Sequence, residues 1–309
     1  MKKTTIFLFI ITISIFKSEL FGQDYTGADS GAEFLKFGIG ARVSAMGESY
    51  DSKESDIFST YWNPAGVAGL NSINAGFMHS DALPGASLEY LGVGMPLLSG
   101  GIAVSVHLML YEEEPVIDKE GGELGDLFWQ ERAFSLYYGR SLTENLDWGL
   151  GIKLVQKVFD GPGFDTVTGD AFALDGGIIY RAPQIPGLSV GGGIVNAGQK
   201  IKMGDQPKAD DLPRSLRVGG SYKYESFIFS ADLSKVLEDS WRPGAGIEYT
   251  VAPGFFLRGG YYSRSGNLGG FTFGVGAISG NFNLDWASLP AGEMGEISRE
   301  NRISLKFIF

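Results

Sequence analysis

The last nine residues, Asn301-Arg302-Ile303-Ser304-Leu305-Lys306-Phe307-Ile308-Phe309, constrain the fold more than any other stretch of the chain. Side chains alternate across an extended strand, so Ile303, Leu305, Phe307 and Phe309 share one face while Arg302, Ser304 and Lys306 share the other. Soluble sheets avoid ending on a fully apolar strand, because an unpaired edge of that kind invites aggregation. A closed membrane barrel uses such a strand. It pairs with the first strand and turns its apolar face to lipid. The expected fold is all-β, a transmembrane antiparallel β-barrel, with a soluble β-sandwich as the alternative.

The earlier chain supplies the other strands. Strand-sized runs fall at 73–80, 86–97, 101–111, 128–142, 146–158, 169–181, 187–198, 213–223, 226–236, 241–250, 254–263, 268–277, 280–288 and 298–309. That makes about fourteen strands, an even number as bacterial single-chain barrels require. Several repeat the pattern of the last: Ile102, Val104, Val106, Leu108 and Leu110 oppose Ala103, Ser105, His107 and Met109. A charge at the bilayer midplane costs about 2–4 kcal/mol on the lipid face. Lys153, Arg217, Asp232, Glu248, Arg258, Asp285 and Lys306 are therefore expected to face the lumen or the plug. The longest gaps, 112–127, 159–168, 199–212 and 289–297, are all odd-numbered connections, which in such barrels are the extracellular loops.

Glycine, at 46 residues, and aromatics, at 13%, suit curved strands with aromatic girdles. A net charge of −11 with no Lys/Arg cluster argues against a nucleic-acid partner. The absence of Cys excludes disulfides, thiolate metal sites and a Cys nucleophile. Lys2-Lys3, the apolar run Ile6 to Phe16 and the small-residue region at Gly22 form a secretory signal pattern, with cleavage expected near Gly22. The chain thus divides into a signal peptide (1–22), an irregular segment (23–70) and a barrel (71–309), with the outer membrane as the expected location and its lipid as a partner. The irregular segment carries Gly clusters and Asn-Pro turn chemistry, which a barrel tolerates inside its lumen as a plug.

Within that segment, Gly38-Ile39-Gly40-Ala41-Arg42, Ala45-Met46-Gly47-Glu48 and Tyr61-Trp62-Asn63-Pro64-Ala65-Gly66 resemble the N-terminal segment of the PorV/PorQ family. These are outer-membrane barrels related to FadL-like long-chain fatty acid transporters and associated with type IX secretion. The resemblance extends to the barrel length and to the terminal strand. It implies that the segment holding Asn63, Pro64 and Ala65 lies in the barrel as a plug, with Gly38, Gly40, Arg42, Met46, Gly47, Trp62 and Gly66 belonging to the same motif. Where the family often has a second Gly and an Ala/Val run after Met-Gly, this chain has Glu48-Ser49-Tyr50-Asp51-Ser52-Lys53.

No enzyme is expected. His107 shares its strand face with Ser105, but neither it nor His79 has a nucleophile elbow nearby, and plug packing is the expected role of His107. Two His without Cys or paired spacing make a poor metal site, so neither metal nor cofactor is expected. Gly191-Gly192-Gly193 and Gly274-Val275-Gly276 lack the following helix of a phosphate loop and read as barrel curvature. Glu112, Glu113, Glu114, Asp118, Glu120, Asp205, Asp210 and Asp211 lack ordered Ca²⁺-loop spacing and read as solvated loop faces. Two functions follow. One is an accessory docking protein for a secreted client and secretion-channel components, as the resemblance implies. The other is a FadL-like channel for fatty acids or other hydrophobic small molecules.

Overall fold

The structure is a computed structural model that describes residues 30–49, 56–237, 241–263, 269–290 and 299–309. The expected signal peptide and its cleavage site, and most of the expected loop 289–297, lie outside the described residues. The strands are β1 (Asn74–Leu83), β2 (Ala86–Leu97), β3 (Gly100–Tyr111), β4 (Glu114–Ile117), β5 (Glu123–Thr143), β6 (Leu146–Gly161), β7 (Phe164–Arg181), β8 (Leu188–Gly198), β9 (Ser215–Tyr224), β10 (Phe227–Val236), β11 (Trp241–Ala252), β12 (Phe255–Tyr262), β13 (Gly270–Ser279), β14 (Phe282–Pro290) and β15 (Arg299–Ile308). All but β4 close into one antiparallel barrel of fourteen strands. Closure is made by the terminal strand, with Phe77 opposite Leu305 and His79 opposite Ile303. A closed barrel leaves no backbone edge for lipid to meet.

Burial alternates with period 2. In β15, Arg302, Ser304 and Lys306 are buried while Ile303 and Phe307 are exposed, at 43% and 45%. Large apolar side chains such as Leu136, Leu150, Ile178, Val218, Leu257 and Val275 repeat this outward exposure around the wall. Toward the short-turn end the outward face carries aromatics, among them Tyr138 and Trp148, whose rings lie 6.1 Å apart, and Phe282 and Phe307, 5.0 Å apart. Toward the other end it carries a polar row. The ladder places His79, Glu89, Leu108, Arg132, Gln156 and Asp170 side by side on β1, β2, β3, β5, β6 and β7. His79 Nδ1 lies 2.6 Å from Glu89, Arg132 donates to Gln156 and Gln156 to Asp170. Groups that cannot enter hydrocarbon mark where the apolar belt stops.

β5, β6 and β7, at 21, 16 and 18 residues, run well past that row. The expected loops 112–127 and 159–168 are accordingly corrected. The first contains β4 and the start of β5, and the second is a tight hairpin turning at Pro162-Gly163. Alternation was hard to see there because water lies on both sides of the projecting sheet, and a sheet wet on both faces needs no apolar face.

Residues 30–49 and 56–70 fill the barrel. They form a 3₁₀ turn (Glu33–Lys36), two short helices (Ala41–Ala45 and Ser59–Trp62) and a second 3₁₀ turn (Pro64–Gly69). Phe34, Leu35, Ile39, Ile57, Tyr61, Trp62 and Val67 of this plug pack with Met78, Leu88, Met109, Val155 and Ile179 of the wall in one apolar cluster.

Candidate functional site

The plug is too short in each element to hold itself together, so its shape comes from local caps and from the wall. Asn63 precedes Pro64, which supplies the fixed φ of a first helical position, and Asn63 Oδ1 accepts the Ala65 N–H at 3.0 Å. The same side chain donates to Ile178 O on β7 at 3.0 Å. Trp62 Nε1 donates to Ile39 O at 2.7 Å and Tyr61 OH to Leu35 O at 3.0 Å, tying the two halves of the plug together. Gly40 opens its helix at φ 92°, a conformation open chiefly to glycine.

Backbone meets backbone on two sides. A Cβ on Gly139 would fall 2.6 Å from Ala68 N, and one on Gly149 2.5 Å from Ala65 N. Across the lumen a Cβ on Gly246 would fall 2.6 Å from Met46 Cα, and one on Gly274 2.6 Å from Ala45 Cβ. Gly47, at φ 68°, lies against the carbonyls of Ala245 and Tyr261. Gly274, whose Cβ would also meet the Trp286 carbonyl of β14, belongs with these glycines. They let the plug approach the wall. Gly66 is buried in the same turn.

Charge holds one side. Arg42 pairs with Glu248 at 2.7 Å; Glu248 also pairs with Arg258 at 2.6 Å, and Arg258 with Asp285 at 2.6 Å. Three of the inward residues of β15, Arg302, Ser304 and Lys306, reach the plug. Arg302 donates to Gly38 O (2.6 Å) and Ser44 Oγ (2.8 Å) and pairs with Glu300 (2.5 Å) and Glu48 (3.7 Å). Ser304 Oγ accepts from Ala41 N at 2.7 Å, and Lys306 pairs with Asp56 at 2.9 Å. Burial opposes the ionised form of Asp56, yet Lys306, helped by Arg42, holds its carboxyl below the usual carboxylate range.

The other expected lumen charges are placed differently from one another. Lys153 is buried between Asp175 (2.7 Å) and Asn196 Oδ1 (2.6 Å), pinning the β7–β8 irregularity where Asn196 has φ 58°. Arg217 donates to Tyr61 O at 2.9 Å and lies over the rings of Tyr61 and Trp62, at 4.6 and 5.0 Å. It does not join the arginine–carboxylate chain of Arg42 and Arg258. Asp232 lines two small voids beside Trp62. One, of about 40 Å³, is bordered by Lys36, Glu48, Arg242 and Tyr262; the other, of about 20 Å³, reaches Gly191, Gly192, Val218 and Gly219. Both also border Arg217. His107 is buried against Phe34, ring centroids 5.0 Å apart, whereas His79 lies on the outward face. On that outward face an apolar hollow of about 740 Å³ is lined by Val251, Phe255, Leu257, Val275, Leu284 and Trp286.

Sequence reasoning did not single out Arg302, Ser304 or Asp56 as plug contacts, although the alternation of β15 had already put Arg302 and Ser304 on the inward face. Asp175 and Asn196 carried no signal, since their pairing depends on a bulge.

No family model matches the sequence, and no curated protein matches it either. Solved structures match by fold. The chain is similar to the toluene transporter TodX of Pseudomonas putida, with 12% identity and a TM-score of 0.63 over 88% of this chain and 99% of TodX. It is similar to the monoaromatic hydrocarbon channel CymD, with 10% identity and a TM-score of 0.58 over 88% of this chain and 98% of that one. A FadL homologue of Pseudomonas aeruginosa matches at 10% identity and a TM-score of 0.54, over 94% and 99% of the two chains. At these identities the likeness is one of fold alone: this chain, a fourteen-strand antiparallel barrel, is similar in fold to these channels.

Proposed function

We propose that the protein is a non-enzymatic outer-membrane channel for hydrophobic small molecules, with the segment before the barrel as its gate. The observation that carries this reading is the pair of voids sharing Trp62, Arg217 and Asp232. They run from the long-loop side of the plug to the wall at β8 and β9. There Gly191 stands opposite Gly219 and Gly192 opposite Val218, so the sheet is almost bare of side chains. Val218 itself faces outward, 56% exposed. A solute that displaces the Arg217–Trp62 stack meets the thinnest part of the wall and beyond it the bilayer, where apolar compounds partition without crossing water. TodX and CymD, which transport toluene and monoaromatic hydrocarbons, support this reading by their fold.

The test is uptake of radiolabelled toluene and oleate by cells that lack their own hydrocarbon channels and carry this chain in the outer membrane. Uptake above that of empty cells, raised by Trp62→Ala and blocked by Gly191→Trp, is expected. Uptake equal to that of empty cells refutes the reading.

A second reading, the PorV/PorQ-type docking role in type IX secretion, is favoured by a different observation. Arg42, Glu48 and Asp56 of the plug are all paired with wall charges, which fastens rather than gates the β11–β15 side. On that reading the interior is a fixed filling, no apolar solute passes, and a secreted client with secretion-channel components co-purifies with the protein.

A further inference from the structure

The sheet that rises past the polar row is strongly acidic among the described residues. It consists of β4 with residues 123–131 of β5, 157–161 of β6 and 164–169 of β7, all beyond Arg132, Gln156 and Asp170. At about 3.3 Å per residue the β5 part alone reaches about 30 Å. Segments 112–132 and 157–170 contain eleven carboxylates and three cations, a net of −8 in a chain whose net is −11. Glu112, Glu113, Glu114, Glu120, Glu123 and Asp126 are all exposed.

The sheet also offers apolar surface. Tyr111, Trp129 and Phe159 stand in a row with centroids 5.4 and 5.7 Å apart, and Trp129 is 40% exposed. Lys157 Nζ lies 5.5 Å from the Trp129 ring centre and 2.8 Å from Glu131, so one ammonium is already held there by ring and carboxylate together. Pro115 sits within β4 and has no N–H to offer, which makes the free edge a poor place to add a strand. The face is the better surface.

We propose that this projecting sheet is a docking face for an extended, lysine- or arginine-bearing polypeptide. Charge complementarity selects the occupant. The field repels nucleic acid and anionic headgroups and draws in cations. Carboxylates spread along about 30 Å of strand match a polyvalent chain rather than a single ion. Trp129, exposed on the strand face that the Glu114–Leu127 pair shares, takes the stem and charged head of an Arg or Lys. The rings share the strand face that continues through Glu131 into the lumen, so the docking face borders the barrel mouth; it does not rest on the channel reading.

The full-length protein in nanodiscs is titrated with a fluorescent peptide of alternating Lys and Ser, with the Glu-Ser counterpart and Mg²⁺ as controls. Binding of the basic peptide alone is expected, weakened about tenfold by the combined Glu112→Gln, Glu113→Gln and Glu114→Gln change and by physiological salt. Trp129→Ala should weaken it severalfold with no change of charge, Trp129→Phe much less, and Asp205→Asn on another loop not at all. Carbodiimide footprinting of the unmutated protein should show Glu112 to Glu123 shielded by the peptide. Unchanged footprints, equal binding by all variants, or Mg²⁺ binding without peptide binding would each overturn the proposal.

Discussion

Gly139 and Gly149 face each other across β5 and β6, and both lie against the plug turn Pro64–Gly69. An alanine methyl at Gly139 would sit 2.6 Å from Ala68 N and 3.2 Å from Pro64 O and Val67 C. Ordinary carbon contacts begin near 3.5 Å, so about 0.9 Å must be found. All three obstructing atoms are backbone, and no side-chain rotation relieves them. Overpacking of this kind costs about 1–3 kcal/mol in the plug-seated state, whereas the about 0.5–1 kcal/mol gained by replacing Gly with Ala in a strand is common to the seated and displaced states and cancels. The loss of about 1–3 kcal/mol shifts the ratio of seated to displaced by a factor of about 5–150. The Gly139→Ala/Gly149→Ala variant should therefore show frequent conductance events in planar bilayers where the parent is closed. Gly176 and Gly259 are the controls, because a methyl there meets only Leu150 at 3.6 Å or Thr272 O at 3.9 Å. Their alanine variants should stay closed and be as heat-stable as the parent or slightly more so. Equal behaviour of the two pairs would refute the view that plug backbone is seated on wall backbone.

Glu248→Gln should cost about 3 kcal/mol, the usual loss when a buried pair is broken, and adding Arg42→Gln should restore part of it in heat-modifiability gels. Asp56 gives a pH dependence. With its folded pKa below the unfolded value of about 3.9, its contact with Lys306 contributes fully above that pH and is lost as pH falls through the folded value. Conductance recorded from neutral to strongly acid pH should rise below about pH 4 in the parent and start less steeply from a higher base in Asp56→Asn. Asn63→Ala removes both the cap on Ala65 and the bond to Ile178 O, and should destabilise plug seating by about 1–2 kcal/mol, seen as increased protease access near Gly66.

The wall was legible in the sequence because lipid enforces period 2 residue by residue. A single-residue slip would put Arg302 or Lys306 into hydrocarbon, so the pattern of β15 could only be read one way. The lumen imposes no such rule. Whether Arg217 meets a carboxylate or lies over Tyr61 and Trp62 depends on how the plug is rotated, and no periodicity encodes that. Glycine shows the same divide. Its abundance was visible, but a glycine on a curved strand and one facing the plug look identical until the plug is in place. Above the polar row, where β5 to β7 leave lipid, alternation loses its cause, and the sequence pattern lost β4 with it.

The two contact systems of the plug differ in what they leave behind, and this fixes the outcome of deleting residues 23–70. The barrel closes through strand-to-strand hydrogen bonds that the plug does not share, and its lipid face is untouched by the deletion. The exposed lumen would present Arg302, Lys306, Glu248, Arg258 and Lys153, groups that water solvates, together with bare glycine backbone. What is lost is the apolar packing of Phe34, Ile57 and Val67 on Met78, Met109 and Val155. At about 1.5–3 kcal/mol per buried side chain that loss lowers thermal stability without unpairing the strands. The deleted form should fold, unfold at a lower temperature and conduct ions steadily, since a hydrated lumen replaces the plug. If instead it fails to insert, the Met78–Met109–Val155 face must need its plug partners to form, and the plug is part of the barrel's folding core rather than a separable gate.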